Sequence, residues 1–371
     1  MILGACGAPA DTPDGGGADH DGAVDGDRAP DAAACSPEIV VAEAAPLALY
    51  VMLDQSGSMA DPVAIGGDRW HAVTGALATF AQAPGATGVG LGLQYFGVPQ
   101  TACTAASCVT DADCGGAACG PCFQSLCLGA VDNADSCAAA DYATPEVEIA
   151  ALPAAAPAII QSTQLHGPST ATPTGPALQG AVDHAAAWSA AHPDQSVAVV
   201  LATDGLPTEC GAAVSDLATI AAAGVDASPP VRTYVIAIGP GLASLDTVAA
   251  AGGTGAAAAI DPTADPGAEM VAALRAIRDD AAACTYRIPT PTTGSPDLQA
   301  VNVVVTPSGG AATTVPYVAG AAACPAGGDA WSYDDPAAPR RIVLCDATCG
   351  TVRGDAGATV TIALGCATES R

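Results

Sequence analysis

Three short stretches of this chain carry side chains that could together hold an ion. Asp54, Ser56 and Ser58 stand in "DQSGSM", directly after the apolar run "LALYVML" at 47–53, and Gly57 relaxes the turn that lets their oxygens converge. Thr172 and Thr174 lie in "TATPTGPALQG", and Asp204 follows a second apolar run, "SVAVVLAT", in "LATDGLPTE". Two carboxylates and several hydroxyls, with no histidine or cysteine among them, make a hard oxygen donor set suited to Mg²⁺ or Mn²⁺. A serine nucleophile is a poor alternative: no motif places a histidine base beside Ser56, and Gly-x-Ser-x-Gly is absent. Binding rather than turnover is therefore expected, and no catalytic residue is assigned.

Elements must bring these stretches together. "LALYVML", "VGLGLQYFG" (89–97), "SVAVVLAT" (196–203) and "VRTYVIAIG" (231–239) are short, near-continuous apolar runs, the pattern of strands covered on both faces. Alanine-rich stretches such as "RWHAVTGALATFAQA" and "GAEMVAALRAIRDDAAA" alternate with them as helices. That alternation predicts a doubly wound α/β sheet, whose ligands gather at the carboxyl ends of the strands. The order is broken at 98–143, where seven cysteines crowd together and apolar patterning stops, as in an insertion stapled by disulfides. If the strand at 89–97 runs parallel to the first, this insertion emerges beside the ion-binding face. Beyond Cys284 the helical pattern ends. "AVNVVVTP", "TTVPYV", "RRIVLC" and "TVTIALGC" then predict a small β-rich domain over 285–371.

Taken in order, D-x-S-x-S at 54–58, T-x-T at 172–174 and T-D-G at 203–205 resemble the metal-ion-dependent adhesion site (MIDAS) of von Willebrand factor type A (vWA) domains. The resemblance covers roughly 36–283 and implies a Rossmann-like vWA sheet, here placed at 35–284. It also implies that "EVEIAAL" (146–152) returns as the antiparallel edge strand of that sheet, and that Asp54, Ser56, Ser58, Thr172 and Asp204 are the metal-site positions. A divalent ion held mostly by neutral hydroxyls keeps much of its charge, so the family likeness implies adhesion through an acidic protein or glycan ligand. The rival expectation is a structural cell-envelope protein whose metal only braces the fold. "TPTGPAL", "TDGLPTEC" and "CTYRIP" (284–289) further resemble secreted or lipoprotein vWA proteins of myxobacteria-like organisms.

Composition bounds the setting. The net charge is −28 and every basic residue is arginine, so nucleic acid and anionic membrane surfaces are poor partners. The wealth of alanine, glycine, proline, aspartate and arginine fits a GC-rich bacterial genome or a salt-adapted surface, and does not separate them. Fifteen cysteines point to an oxidising compartment. Leu3-Gly4-Ala5-Cys6 resembles the lipobox of bacterial lipoproteins, which predicts lipidation of Cys6, a remnant of an export signal at 1–6 and a start codon further upstream. The membrane would then be reached through the lipid anchor alone, as in an outer-membrane lipoprotein or cell-surface protein. Residues 7–34 repeat Gly, Asp, Ala and Pro and predict a solvated, disordered tether.

Setting Cys6 aside leaves an even number of cysteines. The seven of the insertion, Cys103, Cys108, Cys114, Cys119, Cys122, Cys127 and Cys137, cannot all pair among themselves, and Cys210, near the metal end, is the expected eighth. Cys35 and Cys284 are then expected to clasp the ends of the core, with Cys324, Cys345, Cys349 and Cys366 pairing within the β-rich domain. "CGPC" at 119–122 matches a thioredoxin-type redox motif, but no strand or helix pattern frames it. Structural disulfides are the expectation there, ahead of a redox pair or a zinc knuckle.

Overall fold

The structure, a computed structural model, describes residues 37–98, 107–114, 121–127, 135–355 and 357–371. The expectations placed on Cys6, the 7–34 tether, Cys35, Cys103 and Cys119 lie outside the described residues. Strand β1 is Glu38–Val41, followed by β2 (Leu47–Asp54), helix α1 (Arg69–Ala81) and β3 (Gly90–Phe96). The insertion contributes a hairpin of β4 (Cys122–Phe123) and β5 (Leu126–Cys127) and the short helix α2 (Ala139–Tyr142). The chain continues through β6 (Val147–Ala151), α3 (Ala156–Leu165), α4 (Thr174–Ala191) and β7 (Ser196–Thr203). After these come α5 (Val214–Val225), β8 (Arg232–Ile238), α6 (Asp246–Ala251), β9 (Ala258–Ile260) and α7 (Pro266–Ala282).

The main sheet has the order β6-β3-β2-β7-β8-β9. All neighbours run parallel except the edge strand β6, which is antiparallel to β3. Strand β2 lies at its centre and is buried along its whole length, which is why its sequence is apolar without alternation. The two-residue period still sorts its side chains. Leu47, Leu49, Val51 and Leu53 pack with Trp70, Leu77, Phe80 and Leu274 on one face, and Ala48, Tyr50 and Met52 with Leu178, Ala181 and Leu217 on the other. Each helix thus buries one stripe against a sheet face. The sheet is doubly wound, and all the parallel strands end at one edge.

The β-rich part consists of β10 (Thr285–Arg287), β11 (Val301–Thr306), β12 (Thr313–Val315), β13 (Trp331–Tyr333), β14 (Arg341–Leu344), helix α8 (Asp346–Gly354) and β15 (Thr359–Leu364). Two sheets, β1-β15-β11-β12 and β10-β14-β13, enclose a core of Val301, Val303, Ile362, Leu364, Trp331, Ile342 and Leu344. Three expectations are corrected here. The boundary at 35 is misplaced, because β1 pairs antiparallel with β15 and so belongs to the β-rich part, where it fills the backbone hydrogen bonds of an otherwise open edge. A helix does occur beyond Cys284: α8 has Asp346 in its first turn and Arg353 in its last, which suits the helix dipole. That helix turns Cys349 into the core, where it bonds Cys284. Cys284 is therefore not paired with Cys35, and Cys349 does not pair with Cys324, Cys345 or Cys366. Cys324 and Cys345 form a bridge as expected, and Cys366 is also disulfide-bonded.

The β-rich part closes over the amino ends of the main strands. Arg341, buried, pairs with buried Asp334 at 2.9 Å and donates to Ser189 Oγ on α4 at 3.1 Å and to the Gln195 carbonyl just before β7. The carboxyl ends, at the opposite edge, are left to the loops that carry Asp54 and Asp204. Among the described residues no helix is long and apolar enough to cross a membrane.

Candidate metal centre

Asp54 is the last residue of β2, level with Phe96 at the end of β3, and Asp204 directly follows the last residue of β7. The loop after β2 is stitched to the loop before α4: Gly57 N donates to Thr170 O at 2.9 Å, and Ser169 N to Gln55 O at 2.9 Å. The base of the insertion joins the same structure. Asp135 accepts from Ala171 N at 2.8 Å, and Ser136 N donates to Val98 O at 2.8 Å, closing the insertion where it leaves the sheet. Gly97 is required at that junction, because a Cβ there would fall 2.1 Å from Asp135 Cγ. Cys137 is disulfide-bonded to Cys210, tying the insertion to the loop that follows Asp204.

The side chains of Asp54, Ser56, Ser58 and Asp204 form one hydrogen-bonded cluster. Asp54 Oδ1 accepts from the Ser56 backbone at 2.7 Å, and its Oδ2 from the Thr203 hydroxyl at 2.7 Å. Ser58 Oγ donates to Asp204 Oδ1 at 2.7 Å and lies 3.0 Å from Ser56 Oγ, which is itself 3.4 Å from the same carboxylate oxygen. Asp54 is completely buried, and burial pushes its carboxyl up to about 6, against the opposing hydrogen bonds from Thr203 and Ser56; the nearby Asp204 charge adds to the rise. Among the described residues its charged form is held by hydrogen bonds alone. A buried carboxylate without a counter-cation among the described residues, surrounded by gathered hydroxyls and a second carboxylate, fits a hard divalent cation well.

Thr172 is buried and lies against the start of the Asp204 loop. Its Oγ1 is 3.8 Å from where a Cβ on Gly205 would stand, and its carbonyl accepts from Thr208 N at 3.2 Å. The structure thus brings Thr172 beside the cluster, without a hydrogen bond to Asp54, Ser56 or Ser58 among the described contacts. Thr174, completely buried, opens α4 and donates weakly to Thr172 O at 3.4 Å.

Two members of the site were missed by the sequence argument. Thr203, the residue before Asp204, was visible in the T-D-G motif but not assigned a role, although its hydroxyl supports Asp54. Arg69 donates through Nη1 to Asp204 Oδ2 at 2.7 Å and through Nη2 to Asp61 Oδ2 at 3.2 Å. No sequence signal marks it: Arg69 opens α1 directly after the N-cap Asp68, whose carboxylate accepts from His71 N and already offsets the helix dipole. The zinc-knuckle alternative has no support, since Cys108, Cys114 and Cys127 lie close together but are bonded as Cys108–Cys122 and Cys114–Cys127. Cys122 is thereby also removed from a redox pair.

No protein-family model and no curated protein matches the chain. Solved structures similar to it include the VWA domain of SpRpn10, at 14% identity and a TM-score of 0.38, over 62% of this chain and 94% of that one. Proximal thread matrix protein 1 of the mussel byssus, solved with a zinc-occupied MIDAS motif, is similar at 14% identity and a TM-score of 0.37; 68% of this chain and 51% of that protein are covered. Manganese-loaded TRAP protein of Plasmodium vivax shows 14% identity and a TM-score of 0.30, over 56% of this chain and 62% of that one. The chain's own topology defines its fold: a mixed sheet ordered β6-β3-β2-β7-β8-β9, helices on both faces and the motif loops at one edge make it a vWA-like α/β fold.

Proposed function

We propose that this chain is a binding module that engages an acidic group of a protein or glycan through a divalent cation held by Asp54, Ser56, Ser58, Thr172 and Asp204. The observation that carries this reading is the gathering of Ser56, Ser58 and Asp204 beside a completely buried Asp54 that no cation of the described residues pairs with, at the sheet edge opposite the β-rich part. Asp54 and Asp204 supply the anionic support, while the serines and Thr172 supply neutral oxygens that leave most of the cation's charge uncancelled. A bound ion there offers an electrophilic position to an anionic oxygen of the partner. An all-oxygen set favours Mg²⁺ or Mn²⁺. Turnover is not part of the proposal: among the described contacts no histidine stands beside the Ser56 or Ser58 hydroxyl, and the carboxylate that receives them, Asp204, is taken up by Arg69.

The disulfides support an oxidising, extracytoplasmic setting. Attachment by a lipid on Cys6, at an outer membrane or cell surface, rests on the Leu3–Cys6 sequence, and exclusion of nucleic acid on the net charge of −28. A structural envelope role, with the cation as a brace, draws support from one observation: the oxygens of Ser56, Ser58 and Asp204 come from the loops after β2 and β7, so an ion among them would tie two strand ends together. Pull-down from envelope extracts with and without EDTA, run beside melting curves, separates the two. Chelation should abolish capture. If it only lowers the melting temperature, by an amount consistent with about 1.4 kcal/mol at tenfold excess over Kd, the brace reading prevails.

A further inference from the structure

We propose that Arg69 is a positioning residue that sets how tightly the site holds a divalent cation, by fixing a positive charge on one oxygen of Asp204. This rests on the metal reading above. The Asp204 carboxylate is divided between two environments: Oδ1 faces the hydroxyls of Ser58 and Ser56, at 2.7 and 3.4 Å, and Oδ2 receives the Arg69 guanidinium at 2.7 Å. Oδ1 is thus the oxygen available to an ion among the hydroxyls, while Arg69 draws charge away through the other. The Asp204 side chain is fully buried and that of Arg69 only 14% exposed, so water does little to screen the pair.

Packing alone does not explain where Arg69 sits. It opens α1 directly after the N-cap Asp68, yet that neighbouring carboxylate is engaged by His71 and the guanidinium turns to Asp204 instead. Its Nε is buried with no hydrogen-bond partner, so the guanidinium is held by its two carboxylates, Asp204 on one side and the half-exposed Asp61 on the other. Asp61 shares the guanidinium and tempers its pull on Asp204. The consequence is a site in which one of two anionic supports is partly neutralised from within. Cation affinity is lowered, and an ion that does bind retains more charge for an anionic ligand.

The test is calorimetric titration of Mn²⁺ into EDTA-stripped full chain, comparing wild type with Arg69→Met, Arg69→Lys, Asp61→Asn and Arg232→Met. Arg69→Met should bind Mn²⁺ at least about tenfold tighter, because a full charge is removed from a buried site. Arg69→Lys, which keeps the charge, should stay within about threefold of wild type, and Asp61→Asn, which leaves Arg69 wholly on Asp204, should bind more weakly. Arg232 pairs with Asp346, away from the site, and its loss should change nothing. Equal or weaker Mn²⁺ binding by Arg69→Met, in a wild type that binds, would overturn the inference alone; so would equal tightening by Arg232→Met, which would make the effect one of net charge. If Arg69→Met does not fold, unchanged Mn²⁺ affinity in Asp61→Asn overturns it. Binding by Arg69→Met but not by wild type supports the inference in its strongest form. Failure of both to bind would overturn it together with the metal reading.

Discussion

Replacing Asp54 with asparagine should make the cation-free protein more stable, the reverse of what most substitutions at a buried polar position do. Asp54 is completely buried, and its carboxyl is raised from an ordinary 3.8 to about 6. A carboxylate raised in the folded state is penalised there when ionised. The penalty is fully present above about pH 6, is relieved as pH falls through the window from about 6 to about 4, and is gone once both folded and unfolded forms are protonated. The gap corresponds to roughly 3 kcal/mol at neutral pH. Asparagine removes the charge and keeps the hydrogen bonds: its carbonyl can accept from Ser56 N, and its amide can donate to the Thr203 hydroxyl, which has the Gly205 carbonyl 3.0 Å away to receive its own proton. Allowing for imperfect replacement, a gain of about 1–3 kcal/mol remains, or several degrees in melting temperature for a chain of this length. The assay is thermal melting in EDTA between pH 4 and 8. Wild type should gain stability relative to Asp54→Asn as the pH falls, and Mn²⁺ should stabilise wild type only. A variant that melts lower than wild type in EDTA at pH 7.5, or a pH profile identical for the two, would refute the electrostatic account of the site.

Other perturbations have distinct expected outcomes. Asp204→Ala should both abolish Mn²⁺ binding and destabilise the fold, because it leaves the Arg69 guanidinium without its buried partner; Ser56→Ala and Thr172→Ala should weaken Mn²⁺ binding less, as read by calorimetry. Arg341→Met strands buried Asp334 at the base of the sheet and should cost about 3–5 kcal/mol in urea unfolding while leaving Mn²⁺ affinity unchanged. Cys210→Ser should free Cys137 and lower stability by roughly 2–4 kcal/mol, and non-reducing peptide mapping of wild type should recover the Cys137–Cys210 peptide pair.

The parts of this architecture that depend on local pattern could be seen in the sequence. Strand β2 is an unbroken apolar run because it is buried on both faces, and Asp54 ends it where the sheet edge begins. The antiparallel direction of the edge strand β6 was expected through the likeness to the vWA fold rather than from its own residues. What depends on distant pairing was not visible. The pattern of β1 is short and half-exposed, with Ile39 and Val41 on the surface, so nothing in its composition assigns it to a strand more than 300 residues away rather than to the adjoining core. Helix α8 buries little more than Thr348 and Cys349, too thin a stripe to betray a helix, and without the helix the Cys284–Cys349 bridge has no sequence signal. In the site itself, the oxygen donors were legible because strand ends impose their spacing. Arg69 was not, since its contact with Asp204 is set by the angle at which α1 leaves the loop after Asp54.

The central claim is that Asp54, Ser56, Ser58, Thr172 and Asp204 hold a divalent cation with a position open to a ligand. Water-proton relaxation during titration of Mn²⁺ into the EDTA-stripped chain tests both halves at once, because bound Mn²⁺ enhances relaxation only where water exchanges at an open position. The expected result is a saturable enhancement at one Mn²⁺ per chain that Asp54→Ala abolishes. An enhancement that survives in Asp54→Ala, or no saturable enhancement in wild type, would contradict the account.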